Sequence, residues 1–234
     1  MVKGTSSATF IARNDVGWLR TLGRKIPMHP NPTFRKTSQD DAIAFARQRG
    51  FGVIAINGPD GEPLAAHIPF TITSDALHVH AHLVASNPLF RALSDGPCKA
   101  LISISGPDSY VSPDWYQLND QVPTWNYVAV NIRGALSAAP IEDLGPYLEE
   151  LSETFEARLA PKPIWNMAKV DTDILARMMR QIRPVHLLIE RVESTYKLGQ
   201  NKPDAARIAA AHRVAQDGIG QETDALADWM KGAG

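Results

Sequence analysis

The chain has a single cysteine among its 234 residues, Cys98. No disulfide can form within it, which fits a reducing compartment and predicts a cytoplasmic protein. Cys98 stands next to the apolar run Ala100-Leu101-Ile102, the setting of an inert buried thiol rather than of a nucleophile. No apolar run is long enough to span a bilayer as a helix. Charge of one sign is missing too. With 24 Lys and Arg against 25 Asp and Glu the formal net charge is -1, so there is no overall basic footprint for nucleic acid. There is no G-x-G-x-x-G and no G-x-x-x-x-G-K-[ST], which leaves dinucleotide-fold and P-loop nucleotide binding without support. A G-x-S-x-G elbow, a Cys/His zinc spacing, a recognisable helix-turn-helix, an internal repeat and a low-complexity tract are likewise absent.

What is present suits one globular domain with a sizeable core: 44% of residues are hydrophobic and 21% charged. Residues 1–27 differ from the rest. They carry Lys3, Arg13, Arg20, Arg24 and Lys25 against Asp15, without the apolar centre of a secretory signal, and read as a flexible extension. Asp40 or Asp41 is placed to cap a helix running to Arg49. Strands are predicted over 51–56, 64–72, 77–83, 99–105, 128–136 and 185–193, with dense turn chemistry at Asn57-Gly58-Pro59-Asp60-Gly61. Asn87 opens a short helix. Apolar positions from Leu144 to Leu159 recur at helical spacing, as do Ile174, Leu175, Met178 and Ile182 behind an Asp171 cap. The Ala-rich stretch from Asp204 to Met230 reads as helix, broken near Gly218-Ile219-Gly220. Short strands at this spacing predict an antiparallel barrel.

Two aromatic stretches carry the strongest chemical signal: Ser112-Pro113-Asp114-Trp115-Tyr116 and Val122-Pro123-Thr124-Trp125-Asn126-Tyr127. Rings beside hydroxyl and amide tips, on a Pro-stiffened loop leading into a strand, suit a planar ligand; a plug for the end of a barrel is the equal alternative. His78, His80 and His82 alternate, so they share one strand face. With His67 they can be metal ligands, contacts to a bound anion or a flavin ring edge, or structural histidines; no Asp or Glu on these strands completes a metal set. Pro69 cannot donate to a ladder and belongs at an edge or a bulge. Lys197-Leu198-Gly199-Gln200-Asn201-Lys202 is either a phosphate-neutralising loop or a solvated turn.

In order, these segments resemble the FMN-binding negative transcriptional regulators, the PaiB-like family. The resemblance rests on Phe51-Gly52, Ala66-His67-Ile68-Pro69-Phe70, His82 with Ser86-Asn87-Pro88, Gly106 through Tyr116 with its Tyr-Val-Ser-Pro-x-Trp-Tyr core, Val122 through Tyr127, and Lys197-Leu198-Gly199-Gln200-Asn201. It covers about residues 28–215. It implies a mainly β, α+β fold: an FMN-binding split β-barrel with peripheral helices over 28–203, then a helical tail over 204–234. Such barrels dimerise with flavin at the interface. By motif position, His67, Ile68, Pro69 and Phe70 become a backbone cradle for the isoalloxazine ring, and His80, His82, Ser86 and Asn87 become phosphate or ribityl contacts. Ser112, Trp115, Thr124, Trp125 and Asn126 become cofactor or interface elements, and Lys197, Gln200, Asn201 and Lys202 an electropositive rim. No catalytic residue and no metal ligand is implied.

Met28 sits where family members begin, so the resemblance also implies that Met28 is the native start or that residues 1–27 are dispensable. Many members carry an Arg where this chain has Ala85, which predicts weaker flavin binding or a phosphate contact moved to a Lys. DNA is a partner by resemblance alone: Arg177, Arg180 and Arg183 form the best local basic stripe, more simply a solvated face. A flavin-dependent NAD(P)H oxidoreductase and a His-rich metal-binding barrel are the competing functions.

Overall fold

Ser38, rather than either aspartate, opens the first helix. Its Oγ accepts from the Asp41 amide at 3.1 Å and donates to the Asp41 carboxylate at 2.7 Å. Helix α1 (Gln39–Arg49) buries Ala42, Ile43, Phe45 and Ala46 and ends on Gly50, whose φ of 58° makes the left-handed C-terminal cap. The structure is a computed structural model that describes residues 27–233; the extension expected over 1–27 lies outside them except for Pro27.

Six strands follow the alternation read from sequence: β1 (Phe51–Asn57), β2 (Pro63–Ile72), β3 (His78–Val84), β4 (Cys98–Val111), β5 (Thr124–Ala138) and β6 (Ile182–Lys197). All pair antiparallel in the order β1-β2-β3-β6-β5-β4, and β4 returns to β1, closing the sheet into a barrel. Every second side chain points inward. Ile54, Ile68, Phe70, Val79, Leu83, Ile102, Ile104, Val130, Ile132 and Leu187 are buried there.

Two irregularities shape the barrel. Between Ser105 and Asp108 the β4–β5 register slips, and beyond it β4 turns to β7 (Ile219–Gln221). At Arg133/Gly134 the β5–β6 register slips again. There the chains run so close that a Cβ on Gly134 would lie 1.8 Å from the Leu188 carbonyl oxygen. β4 and β5 are longer than the 99–105 and 128–136 read from sequence, so Thr124 to Tyr127 is strand rather than loop.

The helices cover the barrel. Asn87 caps α2 (Pro88–Arg91). Helix α3 (Leu144–Glu156) lies over the ends of β2 and β3, and α4 (Thr172–Met179) is capped by Asp171 as expected. α4 stops before Ile182 and Arg183, which belong to β6; Pro184 disfavours a helical conformation at Arg183. Helices α5 (Asp204–Asp217) and α6 (Thr223–Gly232) bury Ala210, Ala211, Val214, Leu226, Ala227 and Met230 in the same core as the barrel.

Candidate functional site

Strand register, not sequence spacing, assembles the first group of candidates. β2 pairs with β1 from Pro63 to Pro69 and with β3 only from Phe70 to Ile72. Pro69 therefore stands where β2 has an edge, with no register slip; the bulge weighed from sequence does not form. Ile68 and Phe70 point into the core, so only their main chain can meet a ligand. His67 is exposed and stacks on Phe51 at 6.2 Å, away from the other histidines.

On β3, Val79, Ala81 and Leu83 are buried, which leaves His78, His80 and His82 on the outer face. His80 faces His186 of β6, their rings stacked 4.3 Å apart, and Asp143 stands 3.7 Å from His186. The Tyr147 hydroxyl donates to the Pro69 carbonyl at 3.3 Å and lies 3.4 Å from His82 Nδ1, so α3 covers the β2–β3 seam. Burial lowers the His82 pKa; burial first, and His80 second, lower that of His186. Both rings thus favour the neutral form. Opposite His80 lies Thr71, only 7% exposed, whose Oγ1 has no hydrogen-bond partner among the described residues. Asn87 spends its side-chain oxygen on the α2 cap, and Ser86 is exposed. Ala85 is tied by its amide to the Gln181 carbonyl at 2.8 Å. Among the described residues no group of three or more His, Cys, Asp or Glu is arranged to hold a metal.

The second group lies elsewhere. His186 and Lys197 sit eleven residues apart on β6, on the order of 30 Å at strand rise. One FMN on one chain cannot touch both ends. Here a cavity of about 280 Å³ is lined by His29, Asn31, Tyr116, Thr124, Asn126, Lys197, Asn201 and Lys202, among others. Gln200 is committed to its own turn, donating to the Tyr196 carbonyl and accepting from the Leu198 amide. The two aromatic stretches differ in burial. Tyr116 is buried as a plug, with Trp115 packed on the core beyond Ser112. Trp125 is 46% exposed, edge-on to Tyr110 at 6.4 Å, beside Tyr127 in a groove along β5.

A closed antiparallel barrel of six strands with a β4 that splits to a seventh is the architecture of flavin-binding split barrels. The comparisons agree. Residues 28–191 match the family described as "Putative FMN-binding domain", and the chain belongs to that family, whose cofactor is FMN. The PAI 2 protease synthase and sporulation protein of Bacillus subtilis is 28% identical over 172 residues, covering 72% of this chain and 80% of that protein; the PaiB-like resemblance holds. A FAD and heme binding protein from Mycobacterium smegmatis has the same fold at 18% identity and a TM-score of 0.53, covering 80% of this chain and 82% of that one. Rv2991 from Mycobacterium tuberculosis gives 16% identity and a TM-score of 0.52, over 73% and 91% of the two chains.

Sequence reading missed Thr71, Tyr147 and His186 as site residues. Tyr147 was legible only as an apolar helix position, and nothing near Thr71 or His186 in sequence marks them.

Proposed function

We propose that the chain is a PaiB-type regulatory flavoprotein that works as a homodimer, with FMN seated against the β2–β3 face. The buried Thr71 Oγ1, without a hydrogen-bond partner among the described residues, carries this reading: a polar atom in that position calls for a ligand partner. When bound, FMN supplies hydride and one-electron chemistry of its own. The chain's residues bind and orient it. The main chain from His67 to Phe70 meets the ring at the open β2 edge, and Thr71, His80, His82, Ser86 and Asn87 hold the ribityl and phosphate groups. Arg183 does not replace the cation missing at Ala85: it lies opposite inward-facing Leu83 in the β3–β6 register and donates to the Arg180 and Ile182 carbonyls. Lys197 and Lys202, the lysines read from sequence as an electropositive rim, lie at and beyond the far end of β6. A second copy closes the site with its exposed Trp125 edge.

The test is an absorbance spectrum of purified protein after FMN addition and desalting. Retained flavin, released on denaturation, is expected. Thr71→Val should weaken binding about two- to tenfold, the loss of one hydrogen bond of ~0.5–1.5 kcal/mol. A protein that keeps no flavin at micromolar concentration overturns the cofactor site. Salt-sensitive promoter binding by the flavin-loaded dimer is the further expectation for a regulator. Steady NAD(P)H oxidation without DNA binding would instead make it a reductase.

A further inference from the structure

We propose that the cavity at the ends of β5 and β6 binds a small hydroxyl-bearing phosphomonoester, at a site separate from the flavin. Two cations share this cavity, and among the described residues no carboxylate lines it. Lys197 Nζ donates to the Thr124 hydroxyl and Lys202 Nζ to the Gln121 side-chain carbonyl, both neutral acceptors. Lys202 also lies 5.3 Å over the ring of buried Tyr116. Two half-buried ammonium groups facing neutral oxygens are an unbalanced arrangement that a dianion balances. The lowered pKa of Lys197, from burial first and Lys202 second, is the mark of that imbalance.

A third donor comes from His29. Its Nδ1 accepts from the Asn31 amide at 3.0 Å, so the neutral ring carries its proton on Nε2. Asn126 supplies the opposite need. It is 1% exposed and lines the cavity; Nδ2 donates to Met230 Sδ at 3.5 Å, while Oδ1 has no hydrogen-bond partner among the described residues. A buried, unpartnered acceptor on a residue of the cavity wall calls for a donor on the ligand, which a sugar or polyol hydroxyl provides and a bare anion such as sulfate does not. Phe34 and Tyr116 give the cavity apolar walls, and its volume of about 280 Å³ admits a compact ligand.

The ribityl phosphate of FMN has the same chemistry, so the experiment separates the two sources. Flavin-loaded protein is titrated calorimetrically with glycerol 3-phosphate, and with sulfate as the hydroxyl-free control. Saturable binding of glycerol 3-phosphate, several-fold tighter than sulfate and without release of FMN, is expected. Lys197→Gln with Lys202→Gln should weaken it at least tenfold and leave flavin absorbance unchanged. If the double variant fails to fold, Lys202→Gln alone should still weaken it severalfold. Absence of saturable binding overturns the proposal, and so does FMN release on titration or flavin loss in the variants, since the cavity is then the flavin's own. Glycerol 3-phosphate binding by a protein that retains no flavin leaves this site standing and removes the flavin reading instead.

Discussion

Gly134 is the residue at which the barrel has no tolerance. The Leu188 carbonyl occupies the place of a side chain there, and neither partner is a flexible tip that can swing aside. Gly134→Ala is expected to destabilise the fold by about 3 kcal/mol or more, read as a lower urea midpoint. The histidines of the outer face predict a pH dependence. Folding lowers the pKa of His82 and His186 below their ordinary 6.5, so between those lowered values and 6.5 the unfolded chain binds more protons than the folded one. Stability is therefore complete above that range and falls as pH drops through it. Thermal melts from pH 7.5 to pH 5 should show the decline, and His82→Gln should flatten part of it. An unchanged slope in that variant assigns the effect to other groups.

Elements hold to the barrel through a few defined contacts. Helix α1 depends on its Ser38 cap, and Ser38→Ala should cost about 1 kcal/mol by denaturant titration. Helices α5 and α6 are joined by Arg207, only 3% exposed. Its Nε donates to the Met230 carbonyl at 2.7 Å, and its Nη1 pairs with Asp204 at 2.7 Å. Arg207→Ala takes from the buried Met230 carbonyl its 2.7 Å donor and leaves only the longer bond from the Ala233 amide, so α6 should lose amide-exchange protection before the barrel does. Simultaneous loss across both would show that the tail and barrel unfold as one unit. Tyr147→Phe removes the hydroxyl that ties α3 to Pro69 and His82. It is expected to cost about 1 kcal/mol and to loosen flavin retention while the fold stays intact.

At the scale of the whole molecule, the two groups of candidate residues lie at opposite ends of β6, so a flavin site drawing on Trp125 as well as His80 needs a second chain. Light scattering coupled to gel filtration is expected to give a dimer, and Trp125→Ala to weaken both dimer and flavin binding; a flavin-loaded monomer would refute the shared site. Much of the fold was legible beforehand. Alternation of apolar residues in 51–56, 77–83 and 128–136 marks strands because one face of each is buried, and Asn87 and Asp171 mark helix starts because their side chains bond the first free amides. The stretch 106–111 reads as loop because Gly, Pro, Asp and Ser dominate it, and 124–127 because it follows Pro123 and carries Asn126, although neighbouring strands hold both extended. By itself the sequence determined the barrel class, the family and its FMN cofactor, for these rest on periodicity and contiguous motifs. Only the tertiary structure decided which residues meet. Thr71, Tyr147 and His186 converge on one seam, and Lys197 and Lys202 part from it, because strand register and the length of β6 set distances that no local pattern encodes.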